Sequence, residues 1–325
     1  MVQNNALTLF SRSPSVVSIV LYVAMFAVFA TVQGEFALTV AGISTLLNNS
    51  ISLAIGATAL TFVVLTGGFD LSLAGIVALT NTLLSVIALN GVFGAVEGFV
   101  VACLVGAAVG VINGLLIAYY KLQSIAVTLG TMIMASGVAL FMLEAPGGNV
   151  PDSIVYGLTG SIGPVPVAII ILVVFTGAMW TLLNCTKFGI SIFAIGQDRV
   201  AARNSGIDVE WTEFRAYVLA GAVSGFAGFM VSAEIGTGDP RFDASFLLLA
   251  FAAVAIGGTS FRGGRGTVLG SVVGAGLLQL IQKTLFAVGV SSFFTGMFEG
   301  ALMILAVLIG SVSSLLATRR SESVV

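Results

Sequence analysis

Long apolar segments separated by short polar ones follow one another along almost the whole chain. About ten of them approach the length of ~20 mostly apolar residues that a membrane-crossing helix needs. They are Ser15–Val32, Leu47–Thr66, Leu71–Leu89, Val92–Tyr120, Ile125–Leu143, Pro164–Leu183, Phe214–Ile235, Ala244–Ile256, Thr267–Val288 and Phe293–Ser313. The eighth segment is short enough to be a half-span. This pattern predicts an all-α polytopic membrane protein with about ten transmembrane helices.

One polar segment interrupts this pattern with clustered charge. It contains Lys187, Asp198, Arg199, Arg203, Asp208, Glu210, Glu213 and Arg215. Because charged groups are costly in hydrocarbon, the segment is predicted to lie in water. Asp198 is a predicted N-cap, Arg199 and Arg203 lie one helical turn apart, and Gly206 is a predicted C-terminal stop. A helix this short is unstable alone, so we expect it to dock, with its arginines available to carboxylates of a partner. The alternative is a solvated loop.

Composition and charge exclude several classes of protein. Of the 325 residues, 58% are hydrophobic and 8% are charged, with a mean hydropathy of +1.13. The net charge of −2 offers no basic field for nucleic acid, so no nucleic-acid partner is expected. The chain has no histidine and only two cysteines, Cys103 and Cys185. This favours a non-catalytic protein without a metal site or a disulfide framework.

The lysines and the other basic residues carry two further predictions. No lysine follows a glycine, so the chain lacks the phosphate-binding loop of ATPases, and any ATP hydrolysis is expected on a separate subunit. If both termini are cytoplasmic, ten of the 12 basic residues fall on the cytoplasmic side, leaving Arg241 and Lys283 outside. This orientation places the charged segment inside and the loop Glu144–Gly163 outside. Ser15–Val32 is predicted to be a retained span, since no small-x-small cleavage pattern follows it.

Five segments in a fixed order carry a family resemblance. They are TGGFDLSLAG (Thr66–Gly75), GVINGLLIAYYK (Gly110–Lys121), TLG (Thr128–Gly130), FGISIFAIGQDRVAARNSGI (Phe188–Ile207) and IGGTSFRGGRGTVLGSVVG (Ile256–Gly274). With them the chain resembles, over nearly its whole length, the membrane permeases of ribose-, arabinose- and xylose-type bacterial ABC (ATP-binding cassette) sugar importers. It departs from the family pattern at Gln123–Ile125, where prolines are usual, and at Ser136, where a basic residue is common. These departures leave the exact substrate open.

The resemblance implies a fold, partners and a function. The fold would be that of a type II ABC importer-like permease, one transmembrane domain over residues 1–325 in the bacterial cytoplasmic (inner) membrane. Its partners would be a second permease copy, identical or not, a periplasmic sugar-binding protein and two cytoplasmic ATPase subunits that carry ATP and Mg. The cargo would be a monosaccharide or a related small polar solute. The cytoplasmic loop 186–213 becomes a coupling loop that contacts the ATPase through Asp198, Arg199, Ala202, Arg203, Asn204, Ser205 and Gly206.

Polar residues within the apolar segments are candidates for the substrate path. The predicted path residues are Asn49, Asn81, Asn113, Gln279 and Glu299. Buried amides must find hydrogen bonds, so bonding between helices explains most of these amides equally well. Asn48 and Gln282 are further amides of this kind.

An ion-coupled secondary transporter is the alternative function. Such a transporter would usually carry intramembrane carboxylates or histidines. The candidate carboxylates are Glu97 and Glu299, and both lie near the outer ends of their predicted spans. Glu299 and Lys283 are predicted either to pair across the outer turn or, as favoured, to lie at the water interface. Asp70 is interpreted as a cap of the third span rather than as an ion site.

Overall fold

The computed structural model describes residues 14–87, 93–242 and 244–291, together with positions 294, 297, 300 and 301. This part of the chain forms twelve α-helices and one two-stranded antiparallel hairpin. The helices are α1 (Pro14–Gln33), α2 (Val40–Leu65), α3 (Ser72–Val86), α4 (Gly94–Gly114), α5 (Ser124–Met142), α6 (Asp152–Thr159), α7 (Val167–Cys185), α8 (Lys187–Gln197), α9 (Arg199–Asn204), α10 (Val209–Ile235), α11 (Ala244–Ile256) and α12 (Val268–Ala287). The hairpin pairs β1 (Ser161–Ile162) with β2 (Val165–Pro166). A 3₁₀ turn (Gly34–Leu38) precedes α2, and a π-helical turn (Leu115–Tyr119) continues α4.

Most of the predicted spans are present as helices. Among the described residues, seven helices are long and apolar enough to cross a membrane, and α3 and α11 are shorter apolar helices. The predicted span Phe293–Ser313 lies almost wholly outside the described residues. The all-α polytopic membrane fold is therefore confirmed, with the count of about ten as an approximation.

Two helices begin earlier than predicted because polar residues cap them. The Thr39 hydroxyl accepts a hydrogen bond from the Gly42 N–H at 3.1 Å, so α2 starts before the predicted Leu47. The Asp208 carboxylate accepts one from the Trp211 N–H at 2.9 Å, so α10 starts before Phe214. The predicted coupling loop 186–213 is consequently shorter than expected and contains two helices, α8 and α9.

Helix α10 is the central element of the packing and contacts α2, α3 and α4. Its contact with α4 brings backbone against backbone. A Cβ atom on Gly106 would lie 2.1 Å from the carbonyl oxygen of Gly221, and one on Gly225 would lie 2.0 Å from that of Ala102. Only glycine permits such a close approach of two transmembrane helices. Gly106 and Gly225 therefore serve the packing of α4 against α10.

The remaining long helices surround this centre. Helix α2 is buried on all sides from Ser50 to Leu65. Helix α12 packs against α1, α2 and α11, and α3 packs against α5. The core consequently runs through α2, α3 and α10, whereas α1, α5 and α7 present many exposed apolar side chains. Such exposure is expected of helices that face lipid.

The connecting loops gather at two opposite ends of the helices. At one end, the Gly264 N–H donates to the Leu65 carbonyl oxygen at 2.9 Å, and the start of α10 lies there as well. At the other end, the Val150 N–H donates to the Gly236 carbonyl oxygen at 3.1 Å, directly after the end of α10. With 27 residues, α10 separates the two ends by about 40 Å. The loops thus alternate between the ends as predicted, and the sidedness of the ends stays a prediction.

The loop predicted to lie outside has structure that the sequence did not indicate. It contains α6 and β1, which pairs with β2 directly after the loop, and its Gly147 forms a bridge with Gly238. The Asn48 side-chain amide donates to the Thr159 carbonyl oxygen at 3.0 Å and so attaches the loop to α2. The sequence did not predict these elements, because α6 and the two strands are each too short to show a helical or strand periodicity.

Asp70 lies between α2 and α3 and is fully buried. Its Oδ1 accepts hydrogen bonds from the backbone N–H of Ser72 at 2.9 Å and from the Ser72 hydroxyl at 2.5 Å. Burial raises the pKa of the carboxyl, while the bonds from Ser72 lower it. The interpretation of Asp70 as a cap of the third span is confirmed, since Ser72 is the first residue of α3.

Candidate functional site

The short helix α9 at the end where α10 begins is the first candidate site. The Asp198 carboxylate accepts hydrogen bonds from the Val200 N–H at 2.8 Å and the Ala201 N–H at 3.0 Å. Gly206 has a φ of +84°, and the next residue, Ile207, donates its N–H to the Ala202 carbonyl oxygen at 3.1 Å. The predicted N-cap and the predicted C-terminal stop are both confirmed.

Packing and glycine contacts fix α9 against the helices on either side of it. Ala202 is buried and forms a small apolar cluster with Ile195 of α8 and Val209 of α10. In α8, a Cβ on Gly196 would lie 1.9 Å from the Leu65 carbonyl oxygen and 2.3 Å from the Gly264 nitrogen. The loops that follow α2 and α11 therefore hold α8 closely, and α8 in turn supports α9.

Ion pairs attach the arginines of α9 to the start of α10. Arg199 pairs with Glu213, whose side chain is 4% exposed. Arg203 pairs with Glu210, which also binds the Lys121 ammonium at 2.7 Å. The availability of these arginines to a partner's carboxylates stays a prediction, because their side chains are still 51% and 61% exposed. They are used within the chain, because Glu210 and Glu213 face them from the first turns of α10.

A different set of side chains forms the free face of α9. Val200 is 70% exposed, so α9 presents an apolar side chain on its outer surface. Asn204 lies one turn further along the same face, and Ser205 beside it is also exposed. A partner that docks on α9 would contact these residues first. We call Val200, Asn204 and Ser205 the free face of α9.

Two of the predicted path residues make hydrogen bonds between helices instead. The Asn81 amide donates to the Ser232 hydroxyl at 3.1 Å and to the Thr237 carbonyl oxygen at 3.0 Å, and its oxygen accepts from the Asp239 N–H at 2.6 Å. The Asn113 amide donates to the Ser72 hydroxyl at 3.0 Å.

The oxygen of Asn113 accepts from the Thr131 hydroxyl at 2.7 Å. Asn81 and Asn113 are both fully buried. The structure gives these two amides an interhelical role, and their place in the substrate path stays a prediction that the geometry does not support.

The other predicted path residues are differently placed. Asn49 is half-buried and donates to the Thr45 carbonyl oxygen of its own helix at 2.5 Å. Gln279 is half-buried on α12. Glu299 lies outside the described residues, so its predicted relationship with Lys283 stays a prediction.

Glu234 is a carboxylate within the predicted spans that sequence reasoning missed. It lies one residue before the end of α10 and is exposed. The Ser52 hydroxyl of α2 donates to its Oε2 at 3.4 Å, and Lys283 of α12 interacts with it electrostatically. The available signal was an acidic residue in the last turn of a long apolar segment, where the helix dipole disfavours a negative charge.

Comparison with known proteins identifies the family. The sequence profile described as "Branched-chain amino acid transport system / permease component" matches residues 42–307. The chain belongs to this family. It is therefore a multi-pass membrane permease component of a transport system, as the five resembling segments indicated.

Curated relatives of this permease are sugar permeases. It is 30% identical to the ribose import permease protein of Escherichia coli K12 over 306 residues, which cover 90% of this chain and 92% of the relative. It is 32% identical to the galactose/methyl galactoside import permease protein of the same organism, over 65% of this chain and 66% of the relative. It is 30% identical to the D-allose transport system permease protein of that organism, over 86% of each chain. No solved structure gives a significant match.

Proposed function

We propose that this permease is the membrane-spanning subunit of a binding-protein-dependent ABC importer and that its cargo is a monosaccharide or a related small polar solute. The observation that carries the proposal is the alignment with the ribose import permease over nearly the full length of both chains. The family description mentions branched-chain amino acids, whereas the names of the ribose, galactose and D-allose relatives are those of sugar permeases. Sugars are therefore the favoured cargo.

The proposed partners follow from this assignment. ATP and Mg would be bound by two cytoplasmic ATPase subunits, a periplasmic binding protein would deliver the sugar, and a second permease copy would complete the membrane core. The permease itself would carry out no covalent chemistry. The orientation with both termini in the cytoplasm belongs to the same proposal, because it places α9 on the side of the ATPase.

In this proposal α9 is the contact that transmits the state of the ATPase to the membrane. Its free face offers an apolar side chain, Val200, to a groove on the partner. Its ion pairs with Glu210 and Glu213 attach it to α10, which packs against α2, α3 and α4. A displacement of α9 would therefore be passed to the centre of the helix bundle rather than absorbed by a loose loop.

The ion-coupled secondary transporter is the weaker alternative. It would need no ATPase, and its coupling would depend on carboxylates within the spans. The relatives named above are import or transport-system permeases, and α9 has no obvious use in an ion-coupled mechanism. Deletion of the cognate ATPase gene separates the two functions, since it abolishes uptake by an ABC importer only.

A substitution on α9 tests the docking itself. Val200→Asp places a charge on the free face without touching the ion pairs, so it should abolish co-purification of the ATPase and sugar uptake while the permease reaches the membrane at its normal level. Tyr156→Asp is the matched control, because Tyr156 is 72% exposed on α6 at the opposite end. Normal co-purification with Val200→Asp would refute α9 as the docking helix.

A further inference from the structure

Three adjacent helices bring polar side chains together near the end where α10 terminates. Glu234 of α10, Ser52 of α2 and Lys283 of α12 form the centre of this group. Helix α2 packs against both α10 and α12, which fixes the relative positions of the three residues. The loop containing Asn149, predicted to lie outside, is attached at this same end.

Two of the predicted path residues extend the group. Asn49 precedes Ser52 by three residues, and Gln279 precedes Lys283 by four, so each lies on the same helix face as its neighbour. Asn49 and Gln279 are half-buried, and no described residue donates a hydrogen bond to Asn49 Oδ1. We call Asn49, Ser52, Glu234, Gln279 and Lys283 the outer polar cluster.

Glu234 is in an unfavourable position for a purely structural carboxylate. It lies in the last turn of α10, where the helix dipole disfavours a negative charge, and at the edge of an apolar span. Within the described part of the chain it forms no salt bridge, and its one hydrogen bond, from Ser52, is long at 3.4 Å. Charges kept under such conditions usually face a water-filled path or a ligand.

Its environment also differs from that of the amides that pack between helices. Asn81 and Asn113 are fully buried, and both the nitrogen and the oxygen of each amide are already bonded. Glu234 is exposed, and Lys283 is half-buried without an ion pair among the described residues. The polar atoms of the outer polar cluster are consequently open to a solute, whereas those of the buried amides are not.

We infer that the outer polar cluster is a recognition site for a neutral polyhydroxylated solute as it enters the membrane path from the outer side. A carboxylate and a free amide oxygen accept hydrogen bonds from hydroxyl groups, while an ammonium and an amide nitrogen donate them. Glu234 and Lys283 are groups of opposite charge, so the cluster has no excess of one sign, which suits an uncharged cargo. This inference rests on the proposed function, because it names the residues of the same permease that contact the sugar.

The test measures uptake of radiolabelled ribose, galactose, D-allose and L-leucine by cells that carry the complete transporter with the permease variants. Glu234→Gln keeps the size of the side chain and removes its charge, and we expect it to lower the uptake rate of the transported sugar at least about tenfold. Ser52→Ala should lower the rate less. Glu35→Gln is the matched control, since Glu35 is an exposed carboxylate in the 3₁₀ turn that precedes α2, and it should leave uptake unchanged.

Membrane levels and the basal ATP hydrolysis of the purified complex accompany each uptake measurement. Parental uptake with both Glu234→Gln and Ser52→Ala would overturn the inference. If Glu234→Gln does not reach the membrane, uptake by Ser52→Ala tests the inference instead, because this smaller change leaves the carboxylate in place. If the parent protein takes up L-leucine but none of the three sugars, the proposed cargo is wrong. Loss of L-leucine uptake in the variants would then assign the cluster to amino acids.

Discussion

Arg199 of the short helix α9 forms an ion pair with Glu213, a buried residue in the second turn of α10. Helix α9 has only six residues, too few for stability in isolation. The cap at Asp198, the contact of Ala202 and the ion pairs together determine its position. A partner that binds α9 therefore binds an element fixed to the central helix of the bundle.

An exchange of charges tests this attachment. Arg199→Glu leaves Glu213 buried beside a like charge and should destabilise the permease by about 2 kcal/mol, with loss of sugar-stimulated ATP hydrolysis by the complex. The double variant Arg199→Glu, Glu213→Arg should recover most of both properties. Thermal unfolding in detergent and ATPase assays measure them.

Arg203→Glu is the internal control for this exchange. Arg203→Glu should lower the stability of the permease less than Arg199→Glu does, because Glu210 is more exposed than Glu213 and keeps Lys121 as a partner. Recovery of stability without recovery of ATP hydrolysis would mean that Arg199 also contacts the ATPase directly, whereas recovery of neither property would contradict the proposed attachment.

The sequence predicted those features of the fold that depend on local patterns. Apolar segment length located nine of the spans, and side-chain chemistry identified the caps at Asp70 and Asp198. It did not predict that Arg199 and Arg203 bind Glu213 and Glu210. Those pairs depend on the angle at which α9 meets α10, which no local pattern encodes.

The same limit applies to the polar residues within the spans. Asn49, Asn81 and Asn113 look alike in the sequence, because each is an amide among apolar residues. The structure separates them, since two are fully buried between helices and Asn49 is half-buried. Glu234 becomes a candidate binding residue only in the folded chain, where α2 and α12 place Ser52 and Lys283 near it.

The orientation of the chain is open to direct measurement. Single cysteines at Asn149 and Asp239 should react with a membrane-impermeant thiol reagent applied from the periplasm, whereas cysteines at Asp208 and Arg262 should not. The native Cys103 and Cys185 are first replaced by serine. Permeabilised cells provide the control, because all four positions should then react. Reaction of Asp208→Cys in intact cells would reverse the predicted topology.

The backbone contact between α4 and α10 predicts a strong effect of small substitutions. In Gly225→Val the new Cβ would lie 2.0 Å from the Ala102 carbonyl oxygen, so the helices must separate. We expect little monodisperse permease after extraction in detergent, measured by size-exclusion chromatography. Gly137→Val is the control, because a Cβ on Gly137 of α5 meets no atom within 4 Å. Equal yields of the two variants would show that the contact contributes nothing to folding.

Truncation of Asn113 should lower the stability of the permease, whereas truncation of Asn49 should lower sugar uptake. Asn113→Ala removes the two buried hydrogen bonds that Asn113 makes with the hydroxyl groups of Ser72 and Thr131, which should lower the free energy of unfolding by about 1–3 kcal/mol. Asn49→Ala removes a half-buried amide that bonds only within its own helix among the described residues, so stability should change little. If Asn49 belongs to the recognition site, however, sugar uptake by Asn49→Ala should fall. Thermal unfolding and uptake measured on both variants check the pair. Loss of uptake in Asn113→Ala at parental stability would instead place Asn113 in the substrate path.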